Sequence, residues 1–152
     1  MHDIHILTQY PISDEDVVRL NLLRTTLNET YEAITSTVIE ALTESGNNII
    51  FVARVQGHIV GMVVLKRSCP HILRTGSITS FIVNEQHRCG GIGTQLLRRA
   101  VSVADQSGVT ELTLRAGANR IEARRLYAKM GFKPCTCIEE NFFRTHDRPK
   151  PG

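Results

Sequence analysis

No C-x-x-C pair occurs in this chain. Its four cysteines are Cys69, Cys89, Cys135 and Cys137, and the Cys135-x-Cys137 spacing is too close for a usual zinc knuckle without a well-spaced histidine pair. A disulfide scaffold is therefore not indicated, reduced thiols are expected, and no metal site is predicted. A run of about 18 apolar residues is also missing, and the start, Met1-His2-Asp3-Ile4-His5, lacks a basic region followed by an apolar core. The expectation is a soluble, cytoplasmic protein with no membrane partner. Net charge is small too, at +3, which is too little to argue for nucleic-acid binding. Repeats, low-complexity tracts and linkers are absent. At 152 residues the chain has a single-domain length, so residues 1–145 are expected to form one domain followed by a polar, Pro-containing tail at 146–152.

What charge there is falls unevenly. Residues 1–65 hold three basic and eight acidic side chains, whereas residues 88–133 hold nine basic and three acidic. The positive half contains the most informative stretch, Arg88-Cys89-Gly90-Gly91-Ile92-Gly93-Thr94. It follows an apolar, strand-like run at 78–83 and opens into residues 94–107, where apolar residues recur at helical spacing. Gly90, Gly91 and Gly93 have no side-chain oxygen to cap that helix, so its first N–H groups point outward without partners. Glycines allow close approach to the main chain, and Arg88 adds a full charge beside the positive end of the helix dipole. Phosphate or pyrophosphate is the natural guest. The competing reading is an ordinary glycine-rich turn. A dinucleotide-binding unit fits poorly, because Leu96 stands where a third glycine is needed.

The rest of the chain reads as a mixed fold. Residues 3–9 alternate as a first strand. Ser13-Asp14-Glu15-Asp16 supplies an N-cap with acids in the first turn, and Val17, Leu20, Leu23 and Leu27 continue at helical spacing. A second helix is predicted over 31–44, stopping at Gly46. Residues 49–55 and 59–65 form a hairpin through Gln56-Gly57-His58, and Gly61 suggests a bulge or a close backbone contact. A strand at 77–84 precedes the glycine loop. After it, Leu96, Leu97, Ala100, Val101 and Ala104 share one face of a helix stopped by Gly108. A strand at 110–115 follows. Asn119-x-x-Glu122 then caps a helix ending near Met130, and residues 132–137 and 139–145 make two closing strands. The pattern predicts an α/β (α+β) fold: a mixed, mostly antiparallel sheet of six or seven strands with about four helices on both faces.

Arg88-x-x-Gly91-x-Gly93 resembles the acyl-CoA pyrophosphate loop of the GCN5-related N-acetyltransferases, the GNAT family. A second block, Ala123-Arg124-Arg125-Leu126-Tyr127-Ala128-Lys129-Met130-Gly131-Phe132, is similar to that family's later A-x-x-L-Y-x-x-x-G-F motif. The resemblance spans nearly the whole chain. It implies a splay between the fourth and fifth strands, with the pantetheine arm of acetyl-CoA pairing with main-chain groups of Phe81, Ile82 and Val83. The pyrophosphate would lie on the amides of Cys89, Gly90, Gly91, Ile92, Gly93 and Thr94 and on the Arg88 side chain. Asn119 is either a cofactor contact or only a helix cap, because the family's asparagine stands seven residues before the tyrosine and here that position is Arg120. Arg120 and Arg124 are candidates for a CoA phosphate.

Tyr127 is the residue that the resemblance assigns to chemistry, donating to the sulfur as the thiolate leaves. A phenol near about 10 against a thiol near about 8.5 makes that transfer uphill, so hydrogen-bond stabilisation carries much of the role. The competing reading is a core tyrosine, since Ala123, Leu126, Tyr127 and Met130 share a helical face. The main departure is the base. Many relatives carry a glutamate on the strand before the loop, and residues 78–83 hold no carboxylate. Deprotonating a lysine-like amine at pH 7 costs roughly 4–5 kcal/mol, against about 1 kcal/mol for an α-amine. Water held by Ser80 or Thr79, or His71, are the other options. By the same resemblance Tyr31, Glu29 and Glu32 are candidate acceptor contacts.

The expected activity is transfer of an acetyl group from acetyl-CoA to a primary amine by direct attack in a ternary complex, with proximity supplying much of the rate. The acceptor is a small molecule or a protein or peptide amine, a charged tRNA being the one nucleic-acid partner left open, and a homodimer is left open as well. The rival is a noncatalytic acyl-CoA-binding regulatory domain of the same fold.

Overall fold

A computed structural model describes residues 2–7, 12–25, 34–44, 46–67, 74–88, 90–115, 121–134 and 141–145. The strands β1 (His2–Ile6), β2 (Asn48–Val55), β3 (His58–Arg67), β4 (Thr75–Val83), β5 (Glu111–Arg115), β6 (Lys133–Pro134) and β7 (Asn141–Thr145) form one seven-stranded sheet. Their order across it is β1-β2-β3-β4-β5-β7-β6. Every neighbouring pair is antiparallel except β4 with β5. The described helices are α1 (Asp14–Thr25), α2 (Ser36–Glu44), α3 (Ile92–Gln106) and α4 (Ile121–Lys129).

Alternation along the strands divides the interior in two. On one face Phe51 and Ala53 of β2 pack with Leu96, Leu97, Ala100 and Ala104 of α3 and with Tyr127 of α4. On the other, Ile50 and Val52 pack with Leu20 and Leu23 of α1 and Ile39 of α2. Removing a side chain such as Leu20 or Leu97 wholly from water contributes roughly 1.5–3 kcal/mol. The hairpin between β2 and β3 turns on Gln56 and Gly57, both at positive φ (52° and 82°), the two-residue geometry that matches strand twist. Gly61 meets both halves of its expectation. The β2–β3 register slips beside it, with Ala53 opposite Gly61 and Arg54 opposite Ile59. A methyl group at Gly61 would stand 3.0 Å from Leu96 Cδ1, so α3 rests on the bare backbone.

The first strand, expected over 3–9, is His2–Ile6 with Leu7 already outside it, and two helix starts also need correction. The second helix begins at Ser36 and not at residue 31: Ile34 and Thr35 precede it, and residues 31–33 lie outside the described set. The Asn21 side chain brackets Ile34, accepting from its N–H and donating to its carbonyl at 2.9 Å each, which holds that backbone extended. Thr35 Oγ1 then accepts from the Val38 N–H as a cap. The third helix starts two residues earlier than predicted, at Ile92, because Gly91 takes a left-handed conformation (φ 85°) and turns the chain straight into it. Of the predicted strand at 132–137, Lys133 and Pro134 are strand, Phe132 packs in the core with Tyr127, and residues 135–137 lie outside the described set. β7 is described over Asn141–Thr145 of the predicted 139–145, residues 139 and 140 lying outside the described set.

Candidate functional site

The β4–β5 ladder joins Thr75 to Glu111, Gly76 to Leu112, Ser77 to Thr113 and Ile78 to Leu114, and then stops. β4 runs on to Val83. Among the described residues, the stretch from Thr79 to Val83 ladders with β3 and not with β5, whose strand ends at Arg115. β4 also carries a bulge. Met62 lies opposite Ile82 and Val64 opposite Thr79, so Ser80 and Phe81 together face Val63, with Ser80 at φ 51°. An extra residue bends the strand that carries it and raises its twist. A ladder that ends at Ile78 and Leu114 is what a splay between the fourth and fifth strands would require.

Phe81, Ile82 and Val83 all have buried side chains, Phe81 and Val83 toward α3 and Ile82 toward α1. Their side chains are spent on packing, so only their backbone can serve a ligand. Beyond Val83 comes a short 3-10 turn, Glu85–His87, capped by the Asn84 side chain, which accepts from the Gln86 N–H at 2.9 Å. Arg88 follows, its Nε donating to the Val83 carbonyl at 3.1 Å while the side chain stays exposed. Gly91 is the N-cap of α3 and makes no side-chain cap bond. The first amide inside the helical ladder is that of Gln95, bonded to Gly91 O at 3.0 Å. The N–H groups of Ile92, Gly93 and Thr94 therefore precede the ladder, and they belong to the helix's first turn and not to a loop. A methyl group at Gly93 would lie 3.3 Å from Phe81 Cζ, so the start of α3 presses directly on the bulged strand. Gly90 is exposed beside this turn.

Tyr127 closes the same region from α4. It is 2% exposed, with its ring centroid 6.0 Å from that of Phe81 and 6.2 Å from that of Phe132. The position suits both readings of this residue: a packed core ring, and a phenol brought against the bulged segment of β4. Leu126 and Met130 pack on the same cluster, and Gly131 (φ 92°) ends the turn that follows α4. Arg124 is half-buried on α4, one turn ahead of Tyr127. Cys89, Asn119, Arg120, Tyr31, Glu29, Glu32 and His71 lie outside the described residues. Thr79 is exposed and Ser80 half-buried.

Sequence reasoning missed a charged network on the opposite side of the sheet. The Arg54 guanidinium meets Asp16 through two bonds, Nη1 to Oδ1 at 2.8 Å and Nη2 to Oδ2 at 3.0 Å, and its Nε donates to His5 Nε2 at 3.2 Å. That pairing holds the Asp16 carboxyl below the usual carboxylate range, chiefly through the hydrogen bond from Arg54, against the opposing effect of burial. It raises Arg54 correspondingly. Asp16 also accepts from the Ser13 N–H, and Ser13 Oγ from the Asp16 N–H, a reciprocal cap at the start of α1. The run Asp14-Glu15-Asp16 had signalled only a helix start; nothing local distinguishes the one acid that reaches Arg54. Among the described residues no cluster of three or more His, Cys, Asp or Glu suits a metal, and no helix is long and apolar enough to cross a membrane.

A model of the acetyltransferase (GNAT) family matches residues 18–132. The chain is 30% identical over 141 residues to an N-alpha-acetyltransferase of Sulfolobus acidocaldarius, covering 86% of this chain and 81% of that one. It is 32% identical over 92 residues to an N-alpha-acetyltransferase of Sulfurisphaera tokodaii, 55% of each, so it spans about half the length of that relative. An acetyltransferase from Streptococcus agalactiae superposes with a TM-score of 0.74 at 17% identity, over 95% of this chain and 98% of that one, a likeness of fold.

Proposed function

Because the chain belongs to the GCN5-related N-acetyltransferase (GNAT) family, we propose that residues 1–145 act as one domain transferring an acetyl group from acetyl-CoA to an amine, with both held together for direct attack. The observation that carries this is the run of main chain from β4, whose ladder with β5 ends at Ile78 among the described residues, through Arg88 to the start of α3, which has no side-chain cap. An extended amide-bearing arm ending in a diphosphate matches that sequence of donors and acceptors.

In this reading the β4 edge pairs with the pantetheine amides, as a strand would. The N–H groups from Gly91 to Thr94, with the Arg88 guanidinium, face the diphosphate, where helix dipole and orphan amides act together. Gly91 leaves that approach open, since a methyl group there would touch nothing within 4 Å. Cys89, Gly90, Asn119, Arg120 and Arg124 complete the candidate set for the CoA phosphates. The thioester supplies an activated acetyl group. Tyr127 donates its phenolic hydrogen bond where negative charge develops on sulfur.

The acceptor class follows from what β4 lacks. With no carboxylate over residues 78–83, the chain is suited to an amine that needs little help, and an α-amine near about 7.8 loses its proton at pH 7 for about 1 kcal/mol. The names of the relatives support the same choice, a protein or peptide N-terminus. The test is CoA release with acetyl-CoA and a panel of peptides and small amines, products located by mass spectrometry. We expect acetylation at the peptide α-amine and little at lysine side chains. CoA binding without turnover on any amine would instead make the protein a noncatalytic acyl-CoA-binding domain, and failure to bind CoA would remove the proposal.

A further inference from the structure

Between α1 and the end of β4 lies a cavity of about 290 Å³, walled in part by Arg19, Leu22 and Leu23 from the helix, Ile59 from β3, and Glu85 and Arg88 from the turn after β4. Its floor is apolar: Ile59 is 1% exposed and Leu23 5%. Charged groups line the rest. Arg88 is fixed by its Nε bond to the Val83 carbonyl, which leaves both Nη groups without hydrogen bonds among the described residues. Among the described residues the Arg19 ion pair is with Glu15, at 3.7 Å, beyond hydrogen-bond reach. Glu85 forms no ion pair among the described residues.

Two cations and one anion around an apolar floor suit a small zwitterion, whereas Glu85 would repel a polyanion such as a diphosphate. The volume sits at the bottom of the range for ligand pockets, about 300–1,000 Å³, too small for a peptide or a whole CoA. We propose that this cavity binds a free apolar amino acid, its carboxylate against Arg19 and Arg88, its ammonium against Glu85 and its side chain on Leu22, Leu23 and Ile59. It opens at the end of β4, whereas the last β4–β5 pair is at Ile78, five residues back and roughly 16 Å along the strand.

Arg88 joins the cavity to the start of α3. A carboxylate on its guanidinium lowers the positive potential there, so amino acid and CoA weaken each other's binding by one common factor. That coupling rests on the acyl-CoA reading; the binding of the amino acid does not.

Calorimetry on the full chain tests both, with L-leucine, 4-methylpentanoate, 3-methylbutylamine and inorganic phosphate as probes. L-leucine is expected to bind, and each probe lacking one of its charges to bind at least about tenfold more weakly. Arg19→Gln and Glu85→Gln should each weaken L-leucine about tenfold or more and leave CoA affinity unchanged. Saturating L-leucine should raise the Kd for CoA severalfold. No heat from L-leucine up to about 10 mM would overturn the proposal, as would equal binding of phosphate or 4-methylpentanoate, equal weakening of CoA by Arg19→Gln, or formation of acetyl-leucine. Leucine binding that depends on Arg19 in a protein that fails to bind CoA would leave the cavity assigned and remove the acyl-CoA reading alone.

Discussion

Tyr127 carries two demands at once, and its surroundings allow them to be separated. Its ring is enclosed by Phe81 and Phe132, so truncation to alanine removes packing whatever the hydroxyl does. Tyr127→Ala should destabilise the fold by about 3–5 kcal/mol. Tyr127→Phe keeps the ring and deletes only the donor. In the proposed reaction it should lower kcat roughly ten- to a hundredfold while the Kd for acetyl-CoA stays within about twofold. An unchanged kcat would leave Tyr127 a core residue and nothing more. Arg88 gives the complementary signature. Arg88→Ala should weaken CoA by about tenfold, the loss of one charge-assisted contact, with thermal stability nearly unaltered because the side chain is exposed. Calorimetry with CoA that shows equal affinity would take Arg88 out of the phosphate set.

At the scale of elements, the junction of β4 and α3 depends on a single left-handed residue. Gly91 has φ 85° and open space around it, so an added methyl group meets no neighbour and the whole penalty is conformational. Gly91→Ala should cost about 1–2 kcal/mol in a denaturant melt and weaken CoA by misaligning the amides of Ile92 to Thr94. Unchanged stability would mean that the turn relaxes at no cost. This junction was legible in the sequence because its signals are local: a β-branched run, three glycines, then apolar residues at helical spacing. The same holds for the Gln56-Gly57 hairpin and for the stop at Gly108 (φ 88°). What could not be read are contacts made across the chain. The start of α2 is fixed by Asn21, 13 residues before Ile34, and the bulge at Ser80 and Phe81 has no glycine or proline to announce it. The splay was expected only through family resemblance, whereas the bulge emerged from register.

For the whole molecule, the helical layer on the α1 face must be held to a sheet whose other face carries α3, α4 and the proposed cofactor site. Leu20, Leu23 and Ile39 supply the apolar part of that attachment, and the Asp16–Arg54 pair supplies its orientation. Both partners are largely enclosed, Asp16 at 8% and Arg54 at 15% side-chain exposure, so removing Asp16 leaves the Arg54 charge with only the Gly57 carbonyl, His5 and the more distant Asp3 and Glu15. Asp16→Asn is expected to cost on the order of 3 kcal/mol at pH 7, a fall in Tm of roughly 6–12 °C for a chain of this size. The dependence on pH has a definite sign. Arg54 holds the folded-state pKa of Asp16 below its ordinary value of 3.8, so the folded state favours the ionised form. The resulting stabilisation is complete above about pH 4 and is lost as pH falls past 3.8 toward the lowered value. Thermal melts of both proteins from pH 7 to pH 2.5 should therefore converge at the acid end. A gap of constant size across that range would mean that shape and packing hold α1 in place, and the carboxylate charge does not.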